Sequence, residues 1–270
     1  MIHRLAILFS MSAVLFSCSS EETVLQLSAE QRFALGMKKF QNEDYLEASE
    51  DFKNVTLQYQ GSRIADSAQF MLAECRFVRE EYVLAAYEYD LLIRTLPTSK
   101  LVPTARFRKA TCYYRLSPAP YRDQEYTKKA IDEYQAFIEY YPTDTLTSRA
   151  EARINELNTK LAEKDFENGL IYMRMDYNRA AGFYFDLVLD KYHDTPFAEP
   201  ALLKKAETLF ARKKYSDSQK ELARFFEKYP TSSLRSEAEQ LRADLSNAVA
   251  EAGTSASDSS KAVKSHSSIR

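Results

Sequence analysis

A small or polar residue followed four places later by an aromatic recurs along the chain as Gly36/Phe40, Ala73/Phe77, Ala110/Tyr114, Asn168/Tyr172 and Ala206/Phe210. The i,i+4 spacing puts each pair on one face of a helix. A second pattern starts at Tyr45, Tyr82, Thr127, Tyr177 and Tyr215. Three residues on stand Ala48, Ala85, Ala130, Ala180 and Ser218, and seven on stand Phe52, Tyr89, Tyr134, Tyr184 and Leu222. The small residue lets two helices approach closely, and the larger one a turn beyond fills the gap between them. Three of the second helices end in proline, at Leu96-Pro97, Tyr141-Pro142 and Tyr229-Pro230, where proline stops the helix. The pattern predicts an all-α solenoid of about five helix pairs over residues 28–230.

Register arithmetic locates the insertions. From first-helix marker to second-helix marker the distance is 9 in four repeats and 17 in the third. The extra residues fall at Ser117-Pro118-Ala119-Pro120, predicting an enlarged, proline-stiffened turn. From second helix to next first helix the distances are 28, 28, 41 and 29, so the third junction is also extended. Residues 147–175 contain no proline, and Ala150, Ile154, Leu157, Leu161 and Phe166 recur at three- to five-residue steps, which predicts one long helix bracing the two halves of the array. The amphipathic stretch Ser233 to Ala250 reads as a terminal capping helix, and the serine-rich residues 251–270 as a disordered tail.

The amino terminus stands apart from this periodicity. Met1-Ile2-His3-Arg4 is a short positive start, and Leu5 to Phe16 is apolar but too short to cross a bilayer. Leu15-Phe16-Ser17-Cys18 follows and resembles the bacterial lipobox, in which the cysteine is acylated and becomes the first mature residue. Residues 1–17 therefore read as a signal peptide, 18–27 as a lipidated linker, 28–145 as repeats one to three, and 146–250 as repeats four and five with the cap. Several acyl chains at about 0.8 kcal/mol per buried methylene hold such a protein firmly. Ser19, where the inner-membrane retention signal of proteobacterial lipoproteins has aspartate, favours the outer membrane.

Composition narrows the function. With 37 Lys+Arg against 39 Asp+Glu and a net charge of -2, the chain has no basic excess to release counterions from a nucleic acid. Its five glycines are never closer than 13 residues, so no glycine-rich phosphate loop exists, and no cofactor motif is present. Beyond the signal peptide only His193 and His266 remain, too few for a histidine metal site or a relay triad. The reading is a non-enzyme. Cys75 and Cys112 occupy equivalent places on successive first helices and read as small buried thiols, since equivalent packed helices lie about 8 to 10 Å apart, beyond disulfide reach. Adjacent carboxylates such as Glu80-Glu81 read as solvated. The candidates for contact are Arg63, Gln69, Arg76, Arg106, Lys109 and Tyr113, assigned to the first helices, where arginines mixed with amide and aromatic side chains suit an extended peptide and its carboxylate terminus.

The repeat unit resembles the tetratricopeptide repeat: Leu35-Gly36 with Ala48 and Phe52 matches best, then Leu72-Ala73, Ala85, Tyr89 and Pro97, though the tryptophan of that family is missing throughout. An acylated chain of five such repeats resembles the BamD family, lipoproteins of the outer-membrane β-barrel assembly machinery. Asp190-Lys191-Tyr192-His193-Asp194-Thr195 is similar to that family's Tyr-Pro-Asp-Thr exit from the fourth repeat, with His193 in place of proline. The resemblance implies a non-catalytic adaptor lipid-anchored at the outer membrane through Cys18 and facing the periplasm. Its carboxy-terminal repeats are then expected to dock on the periplasmic domains of the barrel insertase, and its amino-terminal repeats to engage unfolded outer-membrane proteins. Two alternatives stay open: another periplasmic repeat scaffold, as in envelope and cell-division coordination, and a nutrient-binding lipoprotein.

Overall fold

The computed structural model describes residues 27–267. The signal peptide, Cys18 and most of the linker lie outside the described residues. Among those described there are eleven α-helices and no strands: α1 (Ala29–Gln41), α2 (Tyr45–Gln58), α3 (Ala65–Val78), α4 (Tyr82–Thr95), α5 (Val102–Leu116), α6 (Glu125–Tyr140), α7 (Thr147–Arg174), α8 (Asn178–Lys191), α9 (Ala198–Ala211), α10 (Tyr215–Lys228) and α11 (Arg235–Ser267). Each helix packs on the one before it and the one after, as a stacked array requires. The array opens on a capping box: Gln31 N–H donates to Ser28 Oγ at 3.2 Å, and Ser28 N–H donates to Gln31 Oε1 at 2.9 Å.

The small and large markers are the core. Ala48, Phe52, Ala85, Tyr89, Ala130, Tyr134, Ser218 and Leu222 are all buried, as are the first-helix markers Gly36, Ala73, Ala110 and Ala206. In the fourth repeat, however, the register runs one residue later than Asn168, Ala180 and Tyr184 predict. The buried set is Gly169, Ala181 and Phe185. The turn explains why. In four repeats the residue two places before the second helix has positive φ: Glu43, Glu80, Asp176 and Lys213. Asp176 therefore starts α8 at Asn178, and tyrosines at 177 and 184 only imitate the markers. With Asn178 as the marker, the interval to Ala206 is 28, the same as in the first two repeats.

The two insertions lie where the arithmetic puts them. Residues 117–124 form the enlarged turn between α5 and α6, wired from inside by Gln124. Its amide donates to the carbonyls of Ala119, Pro120 and Arg122 at 2.8, 3.2 and 3.1 Å, while its Oε1 accepts from Thr127 at 2.6 Å. From α7, Lys160 Nζ donates to Ser117 Oγ at 2.8 Å and Lys164 Nζ to the Arg122 carbonyl at 2.5 Å. The 28-residue α7 is about 42 Å long by its rise. Ala150, Leu157 and Leu161 pack with Phe107, Tyr134 and Phe137 of the third repeat, whereas Ala162 and Phe166 pack with Phe185 and Leu202 of the following ones. One helix thus belongs to both cores. The last helix differs from expectation: α11 continues to Ser267 instead of giving way at residue 251 to a disordered tail. The stretch has no proline and only Gly253, which costs a helix about 1 kcal/mol, less than a break demands.

Two glycines admit a neighbouring aromatic ring where a Cβ would not fit. A Cβ on Gly36 would stand 2.9 Å from Phe52 Cε1, and one on Gly169 only 2.5 Å from Phe185 Cε1. Both rings are fully buried and have nowhere to swing. Gly169→Ala gains about 1 kcal/mol of helix propensity and loses about 1 to 3 in overpacking. We expect a net loss of up to about 2 kcal/mol in urea denaturation, recovered when Phe185→Leu is added. A stabilised single variant contradicts the packing account.

Candidate functional site

The second helices carry an acid six residues past their markers in four of the five repeats: Asp51, Glu88, Glu133 and Glu221. Each is answered from the first helix of its own repeat. Asp51 accepts from Arg32 at 3.0 Å and Lys39 at 2.6 Å, and Glu88 accepts from Gln69 Nε2 at 2.8 Å. Lys109 reaches Glu133 at 2.6 Å and also Asp90 of the preceding repeat at 2.9 Å. Lys205, at the matching position two repeats later, bridges Glu221 and Asp186, both at 2.8 Å. Each lysine therefore ties three helices of two repeats. Burial works against its charge, yet hydrogen bonds from Lys109 to Glu133 and Asp90 hold the ammonium above the ordinary lysine range. Burial also pushes Asp90 up, and Lys109 with Arg94 overcomes it and holds the carboxyl below the usual aspartate value. A further contact across repeats joins Glu74 to Arg108 and the buried Tyr89.

These pairs absorb most of the groove candidates. Gln69 is 5% exposed and spends its amide on Glu88. Arg76 pairs with Glu81 at 2.7 Å, and Lys109 is the clamp just described. The Arg106 guanidinium lies 4.4 Å over the Tyr140 ring, and Tyr113 stacks on Tyr126 at 6.3 Å. Arg63 is not on a first helix at all: it lies in the turn before α3, because Ala65 is the first helical residue. Gln69 and Arg76 share a face of α3, and Arg106, Lys109 and Tyr113 a face of α5. The structure thus gives five of the six a partner within the array and leaves Arg63 in the turn without an ion pair. Cys75 and Cys112 are free, buried thiols, each pushed up to about 12 by burial. His193 is exposed in the turn before α9.

The fourth repeat breaks the acid rule with Tyr184, which stacks on Tyr172 at 5.3 Å and 12°. Around this stack Ile171, Met175, Tyr177 and Phe183 are exposed, Phe183 by 59% and lying edge-on to Tyr184. Tyr177, Arg179, Phe183 and Arg212 line a cleft of about 810 Å³ beside them. A second hollow continues it across Gly182, whose missing Cβ would touch Thr208 at 3.5 Å. Arg179 and Arg212 line the cleft together with Asp176, and neither arginine is ion-paired. Sequence reasoning missed this surface because the one-residue register slip put Tyr184 among the buried markers and Phe183 at the acid position. The available signal was Asp186: placed by analogy with Asp90, it fixes Asn178 as the start and sends Phe183 outward.

Comparison with known proteins follows the same lines. The profile of a family described as outer membrane lipoprotein, YfiO, matches residues 26–213, and that of a tetratricopeptide repeat matches residues 200–232. An outer membrane protein assembly factor BamD from Rickettsia prowazekii is 24% identical over 203 residues, covering 75% of this chain and 81% of that protein. A BamD from Caulobacter vibrioides is 27% identical over 99 residues, 37% of this chain, and the match spans only 32% of that relative's length. Among solved structures, a tetratricopeptide repeat protein from Parabacteroides merdae aligns over 87% of this chain and 79% of its own at 16% identity and a TM-score of 0.36. The TPR2AB-domain:pHSP90 complex of yeast Sti1 aligns over 81% and 98% at 17% identity and a TM-score of 0.40.

The lysine clamp makes its own test. Lys109→Met leaves Asp90 and Glu133 without their shared cation, and we expect a loss of about 1 to 3 kcal/mol at pH 7. A depressed carboxyl stabilises the fold above its unfolded value near 3.9, and that stability drains as pH falls through the folded value. The gap between wild type and Lys109→Met in urea melts should therefore narrow from pH 6 toward pH 3. A constant gap means that the clamp carries no charge coupling.

Proposed function

The chain belongs to the YfiO family of outer membrane lipoproteins, and from that premise we propose that it is a non-catalytic adaptor in outer-membrane β-barrel assembly. Cys18 carries the lipid that fixes it to the outer membrane, with the repeats in the periplasm. The repeat-four surface docks on the periplasmic domains of the barrel insertase, and the amino-terminal repeats hold unfolded outer-membrane proteins. No covalent step is involved. The adaptor acts by binding substrate and insertase together, which raises the concentration of one at the other.

The observation that carries this reading is the outward aromatic surface of repeat four. Exposed aromatic anchors rimmed by cations that spend nothing on internal pairs are the composition of an interface core and its rim. Unpaired arginines also suit a partner that presents acidic side chains. At the other end of the array, Leu57, Leu91 and Leu96 with Thr56, Gln60 and Thr95 line a groove of about 360 Å³ between α2 and α4. Apolar walls that alternate with hydroxyl and amide groups match an extended segment of alternating apolar and polar residues.

The test is purification of the lipidated protein from its membranes in mild detergent with mass spectrometry of what co-elutes. The wild type should bring down a barrel protein with repeated periplasmic domains in near-equal amount. Phe183→Ser with Arg179→Glu should lose that partner by about tenfold or more and stay in the membrane fraction. Cys18→Ala should leave the membrane. Recovery of division proteins or a transporter in place of the barrel protein overturns the assembly role, and membrane retention of Cys18→Ala overturns the anchor.

A further inference from the structure

The turns that join one repeat to the next share a plan. Each places an oxygen-bearing side chain four residues past the helix end: Ser62, Ser99, Asp144, Thr195 and Ser232. Four of the five oxygens are used. Ser99 Oγ donates to Asp66 at 2.6 Å and accepts from Leu101 N–H at 3.1 Å. Asp144 accepts from Leu146 N–H at 2.8 Å, Thr195 donates to the Tyr192 carbonyl at 2.7 Å, and Ser232 donates to Glu199 while accepting from Leu234 N–H at 2.9 Å. Ser62 Oγ is buried with no partner. A buried hydroxyl left unpaired costs about 1 to 3 kcal/mol, so a group that supplies the missing bond binds with that advantage.

The next position in each turn singles out the same corner. It is a cation in the first two turns, Arg63 and Lys100, and Thr145, Pro196 and Ser233 in the rest. Neither cation is ion-paired. Ser62, Arg63, Thr98 and Lys100 line one pocket of about 390 Å³ with Leu96 as an apolar wall. Asp66 also borders it, its carboxylate held by Ser99 Oγ and by Ser67 N–H at 2.7 Å, and the two cations outnumber its single negative charge. A guanidinium, an ammonium and a free hydroxyl in one hollow are the donors that bind phosphate.

The start of the array lies at this corner. Tyr59 Oη donates to the Leu27 carbonyl at 2.7 Å, and the Tyr59 carbonyl accepts from Ser62 N–H at 2.9 Å. Nine residues separate Leu27 from Cys18, which is about 30 Å of fully extended chain. We propose that this pocket binds the phosphate of an anionic phospholipid headgroup in the leaflet that holds the Cys18 lipid, with Leu96 against the glycerol. The assignment rests on the anchor reading, because the tether is what keeps the pocket at the bilayer surface. It adds a second, weaker contact that orients the solenoid against the membrane instead of leaving it free on its linker.

The experiment is hydrogen exchange on the lipidated protein in nanodiscs of phosphatidylcholine alone or with phosphatidylglycerol. Residues 60–66 and 97–101 should exchange more slowly as phosphatidylglycerol is added. Arg63→Gln and Lys100→Gln should each raise the lipid fraction needed for half-protection by about fivefold, the scale of one basic side chain beside an anionic leaflet. Both side chains are exposed and unpaired, and unchanged thermal melts confirm that the variants fold. No difference between the two discs overturns the proposal, as does protection that survives the double variant. Equal protection in phosphatidylcholine discs from inorganic phosphate assigns the pocket to a free anion and overturns the lipid. A chain that does not load into discs refutes the anchor alone, and flotation of that chain on the two vesicle compositions then decides the headgroup: equal flotation rejects it.

Discussion

The seating of one large residue against one small one is the contact on which every other feature of this chain depends. Phe52 meets Gly36 and Phe185 meets Gly169 at van der Waals limits, and Ala73 with Tyr89 and Ala110 with Tyr134 share the cores of the second and third repeats in the same way. Because helix–helix distance follows the size of the residues between, these pairs set how near the two helices of a repeat come. That distance in turn decides which polar side chains can reach across. The acid of the second helix meets its donor on the first only because the apolar layer beneath holds them within hydrogen-bond range.

Legibility in the sequence followed the same hierarchy. The markers at Ala48/Phe52, Ala85/Tyr89, Ala130/Tyr134 and Ser218/Leu222 were readable because burial repeats with a period, and the insertions were readable because they interrupt it. The fourth repeat was misread by one residue because Tyr177 and Tyr184 match the pattern in type while the backbone turn at Asp176 does not. Positive φ on a non-glycine residue leaves no mark in composition, so the information that fixes the register there was conformational. The groove candidates failed for a related reason. Their residue types suit peptide binding, but periodicity does not tell whether a charged side chain already has a partner, and Gln69, Arg76 and Lys109 all do.

Internal pairing therefore separates structure from function here. Where an acid stands six residues past a second-helix marker and its base stands opposite, the charges are consumed in holding helices together. Where a repeat departs from that rule, exposed side chains mark the place: Phe183 beside the Tyr184–Tyr172 stack with unpaired arginines in repeat four, and Arg63 and Lys100 next to the buried, unpartnered Ser62 hydroxyl at the first two inter-repeat turns. Exposed charge alone marks nothing on a chain that is 28% charged.

The distribution of unpaired charge also gives the array a direction. On the edge formed by the turns within repeats, Glu43, Asp44, Glu47 and Glu80 have no ion pair at the amino-terminal end, and at the other end Arg174, Arg179, Arg212, Lys213 and Lys214 have none and outnumber the single unpaired acid Asp176. A net charge of -2 hides this separation entirely. Because screened fields reach only about 10 Å, a partner reads the two ends of a solenoid as different surfaces. The shared α7 keeps them in fixed relation, since it belongs to the cores of both halves. A stacked array without such a helix transmits position only through successive neighbours, each adding its own small freedom. One continuous helix across the junction removes a step from that series, so the position of one half is passed to the other with less accumulated freedom.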